Sequence, residues 1–251
     1  MTARTSRVDA AVLAGPPEQV GIGIVAPFDL ALDRELWRWV PADVTLHFTR
    51  TPYVAEPVSL ELAVAVSDEA DLARATRDLA AVGPACVAYA CTSGSFVHGT
   101  AGERRLVEIM LAAGAPQAIT TSGALLSALT ALGVERVAIA TPYVEEMTTS
   151  LCDFLAEAGV GTVASASLGL SGEIWQVPYE TTARLVRQTD ALSAQAIFVS
   201  CTNLPTYDVI APLEVELGKP VLTANQVTMW AALRLLRREA VGPGQRLLGT
   251  R

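Results

Sequence analysis

The chain is short of histidine, has no CxxC pair, no block of lysine or arginine, and no apolar run of membrane length. Each shortage removes a class of function. There are two histidines, His47 and His98, and four cysteines, Cys86, Cys91, Cys152 and Cys201, none of them closely paired. A zinc centre needs four close nitrogen or sulfur ligands, so no metal site is expected. A disulfide framework does not suit a chain this long and apolar, and the cysteines are expected to be reduced. The formal net charge is −8 with no basic cluster, which argues against a nucleic-acid partner. No apolar run reaches the roughly 18 residues of a membrane span, so no membrane partner is expected either. Met1 to Glu18 lacks the long apolar core of a secretory signal, and residues 1–19 read as a loose leader. A cytoplasmic protein is the resulting expectation. A glycine-rich phosphate loop is also missing. Gly21-Ile22-Gly23 falls inside a strand pattern with no third glycine at the required spacing, so no dinucleotide fingerprint is read.

What is present is apolar sequence in a regular rhythm. Hydrophobic residues make up 51% of 251 positions, enough for one large domain or two of half that size. Strand-like runs at Val20–Ala26, Val44–Thr49, Ala85–Ala90 and Gln117–Thr120 alternate with helical patterns at Asp29–Trp39, Ser67–Val82, Gly102–Ala113 and Ser122–Leu132. Asp29 reads as the N-cap of the first of these helices. The order then repeats. Strands at Arg136–Ala140, Thr162–Ser165, Ala196–Ser200 and Pro220–Thr223 alternate with helices at Val144–Ala158, Pro178–Gln188, Leu204–Leu217 and Gln226–Arg237. Such alternation predicts an α/β fold of parallel sheets covered by helices on both faces.

The two halves also resemble each other in sequence. Val20 to Phe28 resembles Arg136 to Tyr143, the Cys91 segment resembles the Cys201 segment, and Ala118 to Ser122 resembles Val221 to Asn225, in the same order. The expected architecture is two pseudo-symmetric α/β lobes with the active site in the cleft between them. Residues 20–120 form the first lobe and 121–225 the second, with 226–251 a C-terminal helix and tail packing back on the first.

Cys91 and Cys201 occupy matching places in these halves, each just after an apolar run and just before hydroxyl, amide or glycine residues. The carboxyl ends of parallel strands open on the crevice where α/β sheets bind ligands. Two thiols facing each other there can move a proton on or off one carbon. Both are expected to precede helices, whose N–H groups and dipole would favour a thiolate and bind a carboxylate. Thr92, Ser93, Thr202 and Asn203 add neutral donors, so a small anion needs no lysine or arginine. Cys86 and Cys152 fall in apolar or helical pattern and read as core residues. A serine–histidine reading finds no partner for either His47 or His98. Trp175, after a glycine-rich loop, is the tryptophan best placed to meet a ligand.

These segments resemble the aspartate/glutamate racemase superfamily, in the branch that holds maleate cis-trans isomerases and arylmalonate decarboxylases. They are also similar to members of that branch encoded with ectoine-utilisation enzymes. The resemblance covers roughly Val20 to Leu248 and rests on Cys91-Thr92-Ser93-Gly94, Ala140-Thr141-Pro142-Tyr143, Ser167-Leu168-Gly169, Ser200-Cys201-Thr202-Asn203 and Gly242 to Leu248. It implies a cofactor-independent isomerase of a small carboxylic acid, either a racemase or a cis-trans isomerase. Cys91 would match the cysteine that adds to an alkene and Cys201 the one that handles the proton. Thr92, Ser93, Tyr143, Thr202 and Asn203 would match the carboxylate pocket. The decarboxylases keep only the second cysteine, whereas this chain has both. The alternatives are an arylmalonate-type decarboxylase and, from another class, a non-catalytic two-lobed anion-binding protein. Homo-oligomerisation is left open. The loop after the first strand, Pro27-Phe28-Asp29, departs from the asparagine of the maleate isomerases.

Overall fold

The computed structural model describes residues 18–250. The expected leader, residues 1–19, lies outside the described residues except for Glu18 and Gln19. Strands β1 (Val20–Ala26), β2 (Val44–Arg50), β3 (Cys86–Tyr89) and β4 (Ala118–Thr120) form one sheet in the order β2-β1-β3-β4. Strands β5 (Arg136–Thr141), β6 (Gly161–Ser167), β7 (Ala196–Val199) and β8 (Val221–Thr223) form a second in the order β6-β5-β7-β8. Every pairing is parallel, and the two sheets have the same topology. The inner strands β3 and β7 are buried along their whole length. Their apolar runs lack alternation because helices cover both faces.

Among the described residues ten α-helices surround the sheets: α1 (Asp33–Leu36), α2 (Leu60–Val66), α3 (Glu69–Ala80), α4 (Thr92–Phe96), α5 (Gly99–Ala112), α6 (Thr121–Leu132), α7 (Glu145–Glu157), α8 (Tyr179–Thr189), α9 (Tyr207–Leu217) and α10 (Ala224–Leu235). Helix starts are marked by short polar side chains. Ser59, Asp68, Thr120 and Thr223 each accept a backbone N–H of the first turn, which satisfies one of the orphan donors there. Helices α6 and α9 end on Gly133 and Gly218 in the left-handed conformation.

The helix after the last strand of each sheet crosses to the other lobe. Ala124, Leu125, Ala128 and Leu129 of α6 belong to the core around β5 and β7. Met229, Ala232 and Leu233 of α10 belong to the core around β1 and β3. The two helices meet at a hydrogen bond of 2.8 Å between the Thr121 and Thr228 hydroxyls. The tail follows α10 back, with Trp39 Nε1 donating to Gln245 Oε1 at 2.9 Å and the Val241 N–H donating to the Trp39 carbonyl at 2.8 Å.

Three local expectations are corrected. Asp29 caps no helix: α1 starts at Asp33, and its cap position, Leu32, makes no side-chain cap bond. The backbone from Pro27 to Leu30 instead closes a turn (Leu30 N–H to Pro27 O, 3.1 Å) that Arg50 clamps from below through the Pro27 and Leu30 carbonyls. The helix read over Ser67–Val82 is α3, which starts later, at Glu69 with Asp68 as its cap, because Ser67 ends the preceding α2. Helix α9 begins at Tyr207 rather than Leu204. Pro205 disfavours helical backbone at Leu204, so the chain turns there first.

Candidate active site

In the order β2-β1-β3-β4 the connections leave β1 and β3 toward opposite sides of the sheet, and the loops beyond these two strands flank the crevice. The same holds for β5 and β7. Asp29 lies beyond β1, Cys91 beyond β3, Tyr143 beyond β5 and Cys201 beyond β7. Each cysteine is the second residue after its strand. All four residues line one pocket, with Pro27, Val58, Leu62, Val66, Thr92, Ser93, Ile174, Thr202 and Asn203 around them. The space between these residues is small, about 40 Å³ for the centre of a water-sized sphere. Its roof is α2 from the first lobe and the loop before Ile174 from the second, joined where the Val58 N–H donates to the Ser171 carbonyl at 2.9 Å.

Cys91 is the N-cap of α4, and its Sγ accepts the Gly94 N–H at 3.4 Å. The Ser93 Oγ lies 3.8 Å from the same sulfur. The Tyr89 phenol donates to the Val66 carbonyl of α2 at 2.7 Å and lies beside Cys91. Gly94 has to be glycine here, since a Cβ would collide with the Tyr89 hydroxyl and reach 3.2 Å from the Cys91 sulfur. Cys201 is held differently. Its Sγ accepts the Asn203 N–H at 3.3 Å, and the Tyr143 phenol lies beside it. Its backbone has φ of 85°, a region that costs a side-chain-bearing residue free energy and clusters at functional sites.

Both sulfurs are free thiols and nearly sealed off, at 4% and 8% exposure. Burial is the largest influence on each and pushes both up; Cys201 reaches about 12. The amide donors and neighbouring phenols pull the other way but do not prevail, and Asp29 adds to the rise. The amide donors thus favour a thiolate as expected, but burial outweighs them. The helix argument fails for Cys201, because α9 starts six positions later, at Tyr207. Both thiols rest protonated.

The expected carboxylate donors divide. Thr92 Oγ1 is buried in the pocket wall without a hydrogen-bond partner, an expensive state unless a ligand completes it. Ser93 lines the pocket beside the Cys91 sulfur. The Tyr143 hydroxyl is buried, accepts from Ser200 Oγ at 3.4 Å and faces the Cys201 thiol. Thr202 lines the pocket, while its carbonyl accepts from Asn225 Nδ2 at 2.9 Å. Asn203 is used up as a strut. Its Nδ2 donates to the Asp29 carbonyl and its Oδ1 accepts the Ala31 N–H, both at 2.8 Å. Only its main chain is turned to the chemistry. Behind it, the buried Glu35 accepts from the Thr206 N–H and hydroxyl and from Asn225, which fixes the Cys201 turn to the first lobe.

His47 sits on β2 and His98 is exposed at the start of α5, both away from the pocket. Trp175 is partly exposed and its neighbour Ile174 lines the pocket in its place. Cys86 is packed in the first core with its Sγ 3.8 Å from the Ala232 carbonyl, and Cys152 is half-buried on α7. Among the described residues no cluster of His, Cys, Asp and Glu could hold a metal ion, and no helix is long and apolar enough to cross a membrane. The sequence reading missed Asp29, Tyr89 and the apolar roof of Val58, Leu62 and Val66. For Asp29 a signal existed: its loop leaves a central strand beside the Cys91 strand.

A family model described as arylmalonate decarboxylase matches residues 40–248. The arylmalonate decarboxylase of Bordetella bronchiseptica is 32% identical over 203 residues, covering 78% of this chain and 85% of that protein. A maleate isomerase of Nocardia farcinica is 29% identical over 237 residues, covering 89% and 92%. A solved structure of a Nocardia farcinica maleate cis-trans isomerase, a cysteine-to-serine mutant with a covalently bound succinylcysteine intermediate, superposes with a TM-score of 0.81 at 26% identity, covering 91% and 98%. With this match over most of its length and the shared two-lobed fold, the chain belongs to the arylmalonate decarboxylase family.

Proposed function

We propose that this chain is a cofactor-independent isomerase that works on a small carboxylic acid with Cys91 and Cys201 on opposite sides of one carbon. One observation carries the reading: two free thiols from equivalent positions of two lobes line a single small pocket. Thr92, Ser93, the Thr202 backbone and Tyr143 are the groups proposed to hold the carboxylate.

In a racemisation, one cysteine acts as thiolate and takes the hydrogen next to the carboxylate as a proton. The C–H electrons pass into the carboxylate, giving an enediolate. The opposite thiol then delivers its proton to the other face, and the two sulfurs have exchanged roles. In a cis-trans isomerisation, one cysteine adds as a thiolate to an alkene carbon, and the π electrons pass into the neighbouring carboxylate as an enediolate. The former double bond rotates as a single bond, and collapse of the enediolate re-forms the alkene and expels the thiolate. The succinylcysteine of the Nocardia farcinica relative supports the second route as an option for this pocket. Burial suits both routes. It keeps thiolate scarce, yet makes it a stronger base once formed. Donors aimed at the carboxylate act most strongly on the enediolate, so they favour the transition state over the ground state.

The test is exchange of solvent deuterium into candidate acids, with turnover measured alongside. Cys91→Ala and Cys201→Ala should each abolish isomerisation, while Cys86→Ala and Cys152→Ala should retain it. A Cys91→Ala protein that keeps near-normal turnover with release of carbon dioxide would move the chain to single-thiol decarboxylation. Unchanged isomerisation in both active-cysteine variants would end the two-thiol reading.

A further inference from the structure

We infer that Asp29 selects the substrate, and that the pocket takes a small zwitterion carrying a cationic nitrogen near its carboxylate rather than a dianion. This deepens the two-thiol reading of the same pocket and rests on it.

Among the described residues, Asp29 is the one ionisable carboxylate lining the pocket, and no lysine, arginine or histidine lines it. Arg50, the cation that acts on Asp29, is already committed. Its Nη1 donates to the Leu30 and Pro27 carbonyls at 2.9 and 3.3 Å, and its Nη2 holds both oxygens of Asp33 at 2.8 and 3.0 Å. Asn203 Nδ2 donates to the Asp29 main-chain carbonyl at 2.8 Å, and as a neutral donor beside the carboxyl it pulls it down without supplying a charge. The Asp29 carboxylate thus stands at the pocket wall without an ion-pair partner, close enough to both thiols to push them up. Its own carboxyl is pushed up by burial, with Arg50 pulling only partly against this.

Thr92 and Ser93, which follow the neighbouring strand β3, line the same pocket as neutral donors suited to one carboxylate. A second substrate carboxylate would have to lie near Asp29 with no cation to screen it, and like charges in a half-buried site repel. An ammonium group there reverses the sign of that interaction and relieves the burial of Asp29. It also lowers the negative potential around the sulfurs, which eases formation of the thiolate that the chemistry needs. The selectivity is a difference between two affinities, with an attractive and a repulsive part.

The experiment is calorimetric binding to the full-length protein near pH 7.5. The probes are size-matched: D- and L-alanine against lactate and propionate, and D- and L-aspartate against malate and maleate. The amino acids should bind about 100-fold more tightly than their partners lacking the nitrogen. Asp29→Asn should remove about 100-fold of amino-acid affinity and improve maleate binding, whereas Asp29→Glu should keep the preference for the amino acids. Melting curves confirm that the variants fold. Tighter binding of maleate or malate than aspartate, unchanged amino-acid affinity in Asp29→Asn, or no binding by any amino acid overturns the inference. The two readings separate cleanly. Maleate turnover that needs both cysteines removes the Asp29 role and keeps the two-thiol chemistry. Asp29-dependent amino-acid binding with deuterium exchange indifferent to both cysteines does the reverse.

Discussion

At the scale of single residues, Cys201 is where backbone and chemistry conflict. A φ of 85° costs a residue with a Cβ about 1–3 kcal/mol. The fold tolerates this because the Asn203 N–H, the Ala140 carbonyl that accepts the Ser200 N–H, and the Asn225–Thr202 bond fix the turn from three sides. At an ordinary buried site alanine is more stable than glycine. Here the order should invert, with Cys201→Gly more stable than Cys201→Ala by about 1 kcal/mol. Urea melts of the two inactive variants check this, and the ordinary order would mean that the turn carries no strain. Tyr143 is the second residue to test. Its buried hydroxyl touches Ser200 and faces Cys201. If it also meets the developing enediolate, Tyr143→Phe removes a donor that typically contributes about 2.7–4 kcal/mol to the barrier. The expected result is a kcat lower by about two orders of magnitude with a smaller change in KM. An unchanged kcat would leave Tyr143 a packing residue.

At the scale of elements, the site is made where loops from one lobe are tied to the other. Asn203 does most of this work through its two side-chain bonds to the Asp29–Ala31 backbone. Asn203→Ala should strand one carbonyl and one N–H, each costing about 1–3 kcal/mol when left unpaired and buried. The protein should melt earlier, and kcat and KM should worsen together because the Cys201 turn and the Asp29 loop loosen at once. A variant with an unchanged urea midpoint would show that water replaces both bonds. The same tie explains what the sequence concealed. Strand ends and the paired cysteines were legible because an unbroken apolar run has few ways to be buried and the residues after it must face the crevice. Helix α2 was not legible, because seven residues show less than two turns of periodicity and its role as a roof depends on Ile174 and Ser171, more than a hundred positions away. Asp29 looked like a helix cap because Asp33, four residues later, offers the same signal to the same helix. Only Arg50 and Asn203, both distant in sequence, pull the intervening backbone into a loop. The positive φ of Cys201 left no trace at all, since nothing in Ser200-Cys201-Thr202 differs from a residue with ordinary backbone.

At the scale of the whole molecule, the crossed helices make the two lobes one unit of stability. Helix α10 follows the last strand of the second sheet but buries Met229, Ala232 and Leu233 against the first, and α6 does the converse. Neither lobe can keep a covered sheet when the other opens, so far-UV circular dichroism and tryptophan fluorescence should report one coincident transition. Its pH dependence follows in part from three buried thiols, of which Cys91 is raised and two reach about 12. Burial lifts Cys86, between the first sheet and α10, from 9.0 to about 12, and lifts Cys201 over the same range. A group whose folded value is raised contributes stability that is fully present below its unfolded value and is lost as pH rises toward the folded one. Above about pH 9 the unfolded chain releases these protons while the folded chain retains them, so stability should fall steadily from there toward pH 12. Cys86→Ala removes one of the three contributions. It should be less stable than the parent at pH 7, through the small cavity left against Ala232, yet its alkaline slope should be shallower, so the two urea midpoints should converge as pH rises. Because α10 carries the Ala232 carbonyl that meets Cys86, ionisation of this thiol in the first lobe should release the second lobe in the same transition. Parallel slopes for parent and variant would mean that Cys86 ionises in place without disturbing the interlock.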